Sequence, residues 1–533
     1  MTLPSFLTLP ALTGWRRRAA VIATSLLAGA AAALAHPPFG LLPGLLGYAL
    51  LLVLADRSDG ERPLRSAFWR GWLAGFAYFF IGCWWVAEAF LVDARQAWMA
   101  PFAASLLPAG LGLFWGAACA LYRKIAPRHL GRVLVFASCV ALLEWLRGHV
   151  LTGFPWNLPG ESWRAGGAVS QAASWAGAYG LTWMTVFAFS ALAPLVQAGS
   201  RRPRLAMAAA GVVLLGALGI AGAVRLSGAT ETRTDVLVRI VQPDVPQEDK
   251  WTADAFRSIV VRYLGLTAQP STGRTPDIVI WPEGALPAAA EDLFAPQAWT
   301  AEAISSAVRP GQTLLMGTYR GERGPDGRMR YYNSLLALRQ TGGGLRTEAV
   351  YDKHRLVPFG EYLPAETLLA PLGIKELVHV GDGFSHGPRP RPLRLPGLPD
   401  VQPLICYESL FPGLADGSRR AAWIVNISND AWFGRTSGPL QHLNLASYRA
   451  IEQGLPVVRS TPTGVSGVID AYGRIRDDQR LEPGARGIID AYLPAPLENT
   501  YFSRIGNAAF WLFVVAGLIV ALPLSRLTRK ALQ

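Results

Sequence analysis

The sequence predicts a polytopic α-helical membrane region joined to an α/β domain, and three observations carry that prediction. Up to about Leu226 the chain is a succession of apolar stretches, each near the roughly 20 residues that a helix needs to cross a hydrocarbon core of about 30 Å. Near residue 227 the composition turns mixed, and strand-like and helix-like patterns alternate as far as residue 505. One last apolar stretch closes the chain. A chain of 533 residues is too long for one compact core, so it divides into 1–227 (seven spans), 228–505 (an α/β domain) and 506–533 (a final span and tail).

The spans are expected near 19–36, 40–55, 69–91, 98–121, 133–150, 167–198 and 205–226, with an eighth near 506–524. The second is short and follows Pro37-Pro38, which suits a tilted hairpin partner. The formal charge of +13 would suggest a nucleic-acid partner only if the polar domain carried it. Residues 228–505 hold 29 Lys and Arg against 30 Asp and Glu, so the excess belongs to the membrane region, with 21 basic and 7 acidic residues.

That excess alternates with the spans. Arg16 to Arg18, Arg57, Arg62, Arg65, Arg70, Arg123, Lys124, Arg128, Arg132, Arg201, Arg202, Arg204, Arg526, Arg529 and Lys530 fall on one side, and only Arg95, Arg147, Arg164 and Arg225 on the other. By the positive-inside rule the first side is cytoplasmic. Seven spans from a cytoplasmic N-terminus then put residues 228–505 on the periplasmic, outer face of a bacterial inner membrane, and the eighth returns the tail inside. Arg16 to Arg18 and the apolar run after them also fit a cleaved signal peptide, but the parity of the basic loops requires the first span to be retained.

Within the membrane region, Glu88 and the pair Glu144 and Arg147 are costly at membrane depth unless partnered or facing a cavity. For the pair, an internal ion pair and a headgroup contact stand about even. The loop Phe154-Pro155-Trp156-Asn157-Leu158-Pro159 reads as an interfacial aromatic anchor or a portion of a substrate mouth.

In the α/β domain, strands are expected at 236–241, 277–281, 314–319, 334–338, 423–427 and 457–460, with hairpin-like runs at 465–470 and 487–492. Helices are expected at 252–266, 299–308 and 439–453, and the Pro-rich stretch 387–399 as a loop.

Three of the four cysteines, Cys83, Cys119 and Cys139, lie inside apolar spans, so no disulfide framework is indicated. Cys406 instead follows the strand-like run 401–405. A free cysteine is most often a small buried hydrophobe, but two other stretches reverse that reading here. Asp277-Ile278-Val279-Ile280-Trp281-Pro282-Glu283 is an apolar run ending in a carboxylate, and Tyr351-Asp352-Lys353 opens a segment that continues to Phe359-Gly360-Glu361. One charge past a strand end is ordinarily solvated; a carboxylate, a lysine and a thiol, each ending a β-type run, are far rarer by chance. Cys406 is then the nucleophile, Lys353 the cation that lowers its pKa, and Glu283 the group that takes its proton and returns it to the leaving group. Lys353 and the Tyr407 backbone N–H would also stabilise a tetrahedral oxyanion, worth about 3 kcal/mol for one donor. No CxxC or histidine cluster points to a metal, and no cofactor is expected.

Glu283, Lys353 and Cys406, with the Phe-Gly-Glu after the lysine, resemble the Glu-Lys-Cys constellation of the nitrilase (carbon–nitrogen hydrolase) superfamily. That resemblance implies an α-β-β-α sandwich and gives Glu361 a role in orienting Lys353 or sharing protons with Glu283. A soluble nitrilase has no need of spans, and the whole layout resembles the apolipoprotein N-acyltransferase family. The matching segments are Gln242-Pro243-Asp244-Val245-Pro246-Gln247 with Trp251, Tyr332-Asn333-Ser334, Cys406-Tyr407-Glu408-Ser409, and Asn426 through Gly434.

The family implies an acyl chain taken from a membrane phospholipid as a Cys406 thioester. The α-amino group of an apolipoprotein's N-terminal diacylglyceryl-cysteine then receives it, giving a triacylated lipoprotein. It also implies supporting or substrate-binding roles for Glu361, Tyr407, Glu408, Trp251 and Asn333. Keeping water from the thioester requires apolar cover, for which 363–372 and 431–433 are the candidates. A membrane-tethered amidase or nitrilase acting on a small C–N substrate is the alternative. A catalytically idle receptor or transporter is a third reading, and the intact triad speaks against it.

Overall fold

The structure, a computed structural model, describes residues 14–58, 61–229, 232–248, 250, 255–271, 273–364, 383–414 and 420–521. Its first half is helical: α1 (Gly14–Ala33), α2 (Gly47–Asp56), α3 (Pro63–Cys83), α4 (Ala100–Ile125), α5 (Arg132–Arg147), α6 (Ala173–Ser190) and α7 (Arg201–Ser227). Close crossings explain the glycine richness. A Cβ on Gly29 of α1 would lie 1.8 Å from the Ala74 carbonyl oxygen of α3, and one on Gly75 would lie 2.9 Å from Gly112 Cα of α4. Without those side chains the backbones come together, which is how helices associate where no hydrophobic force separates protein from lipid.

Among the described residues, four segments are long and apolar enough to cross a membrane: Pro63–Phe90, Ala97–Ile125, Val169–Val196 and Arg201–Ser227. Each stretch expected as a span falls on helix, but helix length does not establish a count of eight. The second is a 3₁₀ turn, Leu42–Leu46, running into the ten-residue α2, and α5 stops after 16 residues at Gly148. The last, expected at 506–524, is seen as the twelve-residue helix Ala508–Ile519, with 522–524 outside the described residues; Gly506 (φ +57°) separates it from the short helix Tyr501–Ile505. On α7, Val212, Val213, Ile220 and Val224 are all more than 60% exposed, an apolar face that suits lipid rather than water.

The second half builds two sheets. The first has the order β11-β1-β2-β3-β4-β5, from β1 (Arg233–Gln242), β2 (Ile278–Trp281), β3 (Thr313–Arg323), β4 (Met329–Gln340), β5 (Leu345–Asp352) and β11 (Gly487–Pro494). The second runs β10-β9-β8-β7-β6, from β6 (Val401–Ile405), β7 (Trp423–Ile427), β8 (Val457–Ser460), β9 (Ser466–Ile469) and β10 (Ile475–Leu481). Strands β1 to β3 are parallel, as are β6 to β8. Val238, Ile280 and Leu335 of one sheet share a core with Ile405, Val425 and Val458 of the other, so the sheets pack face to face. Helices cover the outer faces: Ala255–Thr267 and Trp299–Ala307 on the first sheet, and Gly438–Gln453 on the second. These layers are the expected α-β-β-α order. Strand β5 is the β-type run expected to end before Lys353, whereas β10 (IRDDQRL) was not anticipated: it is charged and partly exposed, so it lacks the apolar alternation that marks a strand.

The helix Gly438–Gln453 makes several of the contacts between the two halves. Its Tyr448 hydroxyl donates to the Gly160 and Trp163 carbonyls at 3.0 and 2.7 Å, Asn444 donates to the Glu161 carbonyl at 2.9 Å, and Arg449 pairs with Glu161 at 3.3 Å. The loop 154–159 is therefore not a lipid anchor. Trp156 is 1% exposed, and its Nε1 donates to Gln441 Oε1 at 2.8 Å. Glu144 and Arg147 form an internal ion pair with both side chains fully buried. Arg147 also donates to the carbonyls of Phe154 and Trp156, and Trp115 Nε1 donates to Glu144 Oε1 at 2.7 Å. The alternative, a headgroup contact, is excluded by that burial.

Candidate active site

In open α/β sheets, reactive groups gather beyond the carboxyl ends of parallel strands. Glu283 stands two residues past β2, Cys406 directly after β6, and Asn429 two residues past β7. Lys353 follows the antiparallel β5, and Asn333 projects from β4. Face-to-face packing brings these ends together. Glu283 Oε1 accepts from Lys353 Nζ at 3.0 Å and Asn333 Nδ2 at 2.7 Å, while its Oε2 accepts from the Asn429 backbone N–H at 2.7 Å. Glu361 Oε1 accepts from Lys353 Nζ at 2.9 Å and Asn333 Nδ2 at 2.8 Å, and Oε2 from the Val357 N–H at 2.8 Å. Glu361 thus holds Lys353 and touches Glu283 only through shared donors.

Cys406 is buried at the first position of the 3₁₀ turn Cys406–Leu410 with φ +50°, a conformation that L-residues other than glycine adopt at a cost. Strain of this kind presents a nucleophile at a sharp strand-to-helix turn. Glu408 holds the turn in place. Its Oε2 accepts from the Ile405 N–H at 2.7 Å, and its Oε1 from the Tyr351 hydroxyl at 2.6 Å and the N–H groups of His354 and Arg355 at 2.8 and 3.1 Å. Glu408 therefore ties the cysteine turn to the lysine loop instead of facing the thiol pocket. The Tyr407 hydroxyl donates to the Gly153 carbonyl at 2.5 Å, joining the turn to the membrane region. Trp251 and most of the expected cover 363–372 lie outside the described residues.

Burial pushes the Glu283 carboxyl up, but Lys353 and the Asn333 amide outweigh it and the net direction is down. Burial pulls Lys353 down, and Glu283 and Glu361 together carry it well above the ordinary lysine range. For Cys406 burial comes first and the Glu283 charge adds to it, so the thiol is pushed up to about 12 despite Lys353. Lys353 does pull the thiol down, as expected, but it is shared with two carboxylates, and burial and the Glu283 charge outweigh it. The site thus holds an ion pair beside a protonated thiol, with Glu283 placed as a candidate proton acceptor for it.

Several participants were not anticipated. His442 Nε2 lies 3.0 Å from Ser409 Oγ and 3.2 Å from the Cys406 carbonyl, and Nδ1 lies 2.9 Å from Asp430 Oδ1. Asp430 is also bridged by Arg459 at 2.7 Å. Lys250 donates to the Gly284 carbonyl, and burial brings its pKa down to about 8. Tyr351 and Asp430 lie inside stretches already singled out, but neither Lys250 nor His442 carries a local signal of its proximity.

Both parts of the chain are similar to known proteins. The family model described as the apolipoprotein N-acyltransferase N-terminal domain matches residues 28–192, and the carbon-nitrogen hydrolase model matches residues 237–495. A Caulobacter vibrioides protein named apolipoprotein N-acyltransferase is 55% identical over 501 residues, covering 94% of each chain. Proteins of the same name from Rhodopseudomonas palustris and Brucella melitensis are 40% and 39% identical, each match covering 96% of both chains. With its two halves matched in order and relatives alike over nearly its whole length, the chain belongs to the apolipoprotein N-acyltransferase family.

Proposed function

We propose that this enzyme moves an acyl chain from a membrane phospholipid to the α-amino group of an apolipoprotein's N-terminal diacylglyceryl-cysteine, in two half-reactions through a Cys406 thioester. The observation that carries the reading is the buried cluster of Glu283, Lys353 and Cys406, bonded through Tyr407 to a loop of the membrane region.

In the first half-reaction Cys406 Sγ forms a bond to the ester carbonyl carbon as its proton passes to Glu283. Lys353 Nζ and the Tyr407 N–H hold the oxyanion. The bond from the acyl carbonyl carbon to the glycerol oxygen breaks, Glu283 returns the proton to the leaving alkoxide, and a lysophospholipid departs. In the second, the acceptor amine forms the C–N bond, the C–S bond breaks, and the amine proton reaches the thiolate through Glu283. Asn333 and Glu361 orient Lys353 and Glu283, Glu408 positions the cysteine turn, and Trp251 contributes to substrate binding.

The layout proposed with it has a membrane domain over residues 1–227, a catalytic domain over 228–505 on the periplasmic face of the inner membrane, and a final span and tail over 506–533, eight spans in all. Its support is the one-sided distribution of basic residues and the apolar exposed faces of α7 and of Ala508–Ile519. Mass spectrometry after incubation with phospholipid tests the chemistry. An acyl adduct on Cys406 is expected. Its absence, with turnover of a small soluble amide instead, would favour the amidase alternative.

A further inference from the structure

Glu88 lies on the 3₁₀ helix Trp84–Phe90, which continues α3 toward the catalytic loops. Three residues complete a 3₁₀ turn, so Trp85 and Glu88 share one face. Trp85 packs on Phe433 with ring centroids 4.6 Å apart and donates to Gln441 Oε1 at 3.0 Å. One turn further on, the Glu88 carboxylate rests against Gly434, where a Cβ would come 2.5 Å from its Oε2. Gly434 has φ +57° and ψ −160°, so both backbone and space call for glycine. The same loop starts at Asn429, whose N–H bonds the catalytic carboxylate Glu283.

Glu88 is half-buried, and among the described residues its carboxylate takes part in no hydrogen bond or ion pair. The residues flanking Glu88 and Gly434 along the chain include open apolar groups: Trp84 and Trp432 are each 39% exposed and Leu91 is 51% exposed. A carboxylate among exposed apolar groups at a bilayer boundary is costly unless a cation meets it. Glu144, by contrast, has Arg147, and Glu283 has Lys353.

We infer that Glu88 binds the primary ammonium group of a lipid substrate at the mouth of the site, an inference that rests on the acyl-transfer reading. Two substrates can carry such a group: a donor with an ethanolamine headgroup, and the acceptor with its free α-amine. The partner is a monovalent alkylammonium attached to acyl chains, which supply the apolar contact with Trp84, Leu91 and Trp432 while the carboxylate supplies the charge.

The test is Glu88→Gln in the full-length enzyme, with the half-reactions measured separately. Acylation of Cys406 is followed by mass shift on vesicles of phosphatidylethanolamine and of phosphatidylglycerol. Discharge of the acyl-enzyme is followed with a diacylated lipopeptide bearing a free α-amine. If the donor headgroup is the ligand, the preference for phosphatidylethanolamine over phosphatidylglycerol falls about tenfold, the scale of one charge-assisted hydrogen bond. If the acceptor is the ligand, KM for the lipopeptide rises about tenfold while kcat for discharge holds, and Glu88→Asp recovers some of the loss. Kinetics within twofold of the unsubstituted enzyme in both arms would overturn the inference alone, as would an equal loss with both phospholipids and the lipopeptide, which would mark a merely structural contact with Gly434. If the unsubstituted enzyme forms no Cys406 adduct, the acyl-transfer reading falls and this inference with it.

Discussion

The Glu408 carboxylate accepts a 2.6 Å hydrogen bond from the Tyr351 hydroxyl, joining the residue two places beyond Cys406 to the residue two places before Lys353. Cys406 and Lys353 come from different sheets, so their spacing depends on this tie and on the His354 and Arg355 N–H groups that reach the same oxygen.

Removing the tie should therefore cost both stability and rate. Tyr351→Phe deletes one donor and should destabilise by about 1–3 kcal/mol while leaving Cys406 acylation within roughly tenfold. Glu408→Ala strands four donors in a buried site and should lower the unfolding midpoint further and suppress acylation. Denaturation in detergent and acyl-adduct formation measure the two effects. A Glu408→Ala enzyme that acylates normally would remove Glu408 from the positioning role.

The triad should behave as a unit. Cys406→Ala should abolish the acyl-enzyme, and Glu283→Gln and Lys353→Ala should leave folded protein with activity lower by several orders of magnitude. Alanine at Cys83, Cys119 or Cys139 should be tolerated, since these thiols are buried within the helical half, away from Cys406. Near-normal N-acylation by Cys406→Ala in vitro would refute the covalent route.

The pH response of the resting thiol is a separate check. Glu283 has a depressed folded pKa, so its contribution to stability is present above its unfolded value and lost as pH falls through the folded one. Lys353 has a raised pKa, so its contribution is present below its unfolded value and lost only as pH rises through the folded one. Between about pH 5 and 10 the pair keeps its charge, and alkylation of Cys406 should report the thiol alone. With that thiol pushed up to about 12, the rate should climb close to tenfold per pH unit from about pH 7 to 10. A plateau near pH 8 to 9, normal for a free cysteine, would contradict the buried, carboxylate-facing thiol.

Transfer and hydrolysis separate at the second step. An isolated acyl-enzyme should persist in buffer and discharge quickly when diacylated lipopeptide with a free α-amine is added, whereas an N-acetylated lipopeptide should leave it intact. Equal loss of the acyl group with and without the amine would move the enzyme to the hydrolases.

Orientation is open to cysteine labelling. A reporter at residue 325 should react in intact cells, where one at residue 203 should need permeabilisation; the opposite pattern would reverse the topology.

By itself the sequence determined what is local. Apolar length marked helical segments of the first half, though not which of them cross as full spans. An apolar run ending in Glu283, one ending before Lys353 and one ending at Cys406 marked the groups that the fold brings together, because a strand and the residue just past it are encoded within a few positions. Tertiary structure decided everything that depends on what stands opposite. Lys353 meets two carboxylates and not the thiol alone, so burial wins and Cys406 stays protonated. Glu144 and Arg147 pair inward, and Trp156 is roofed by the helix Gly438–Gln453 some 285 positions along the chain. His442 reaches the Cys406 carbonyl, and Glu408 gathers donors from a loop more than 50 residues upstream. Desolvation, charge pairing and hydrogen-bond satisfaction are properties of three-dimensional neighbourhoods, and no local pattern of residues specifies which distant group will complete them.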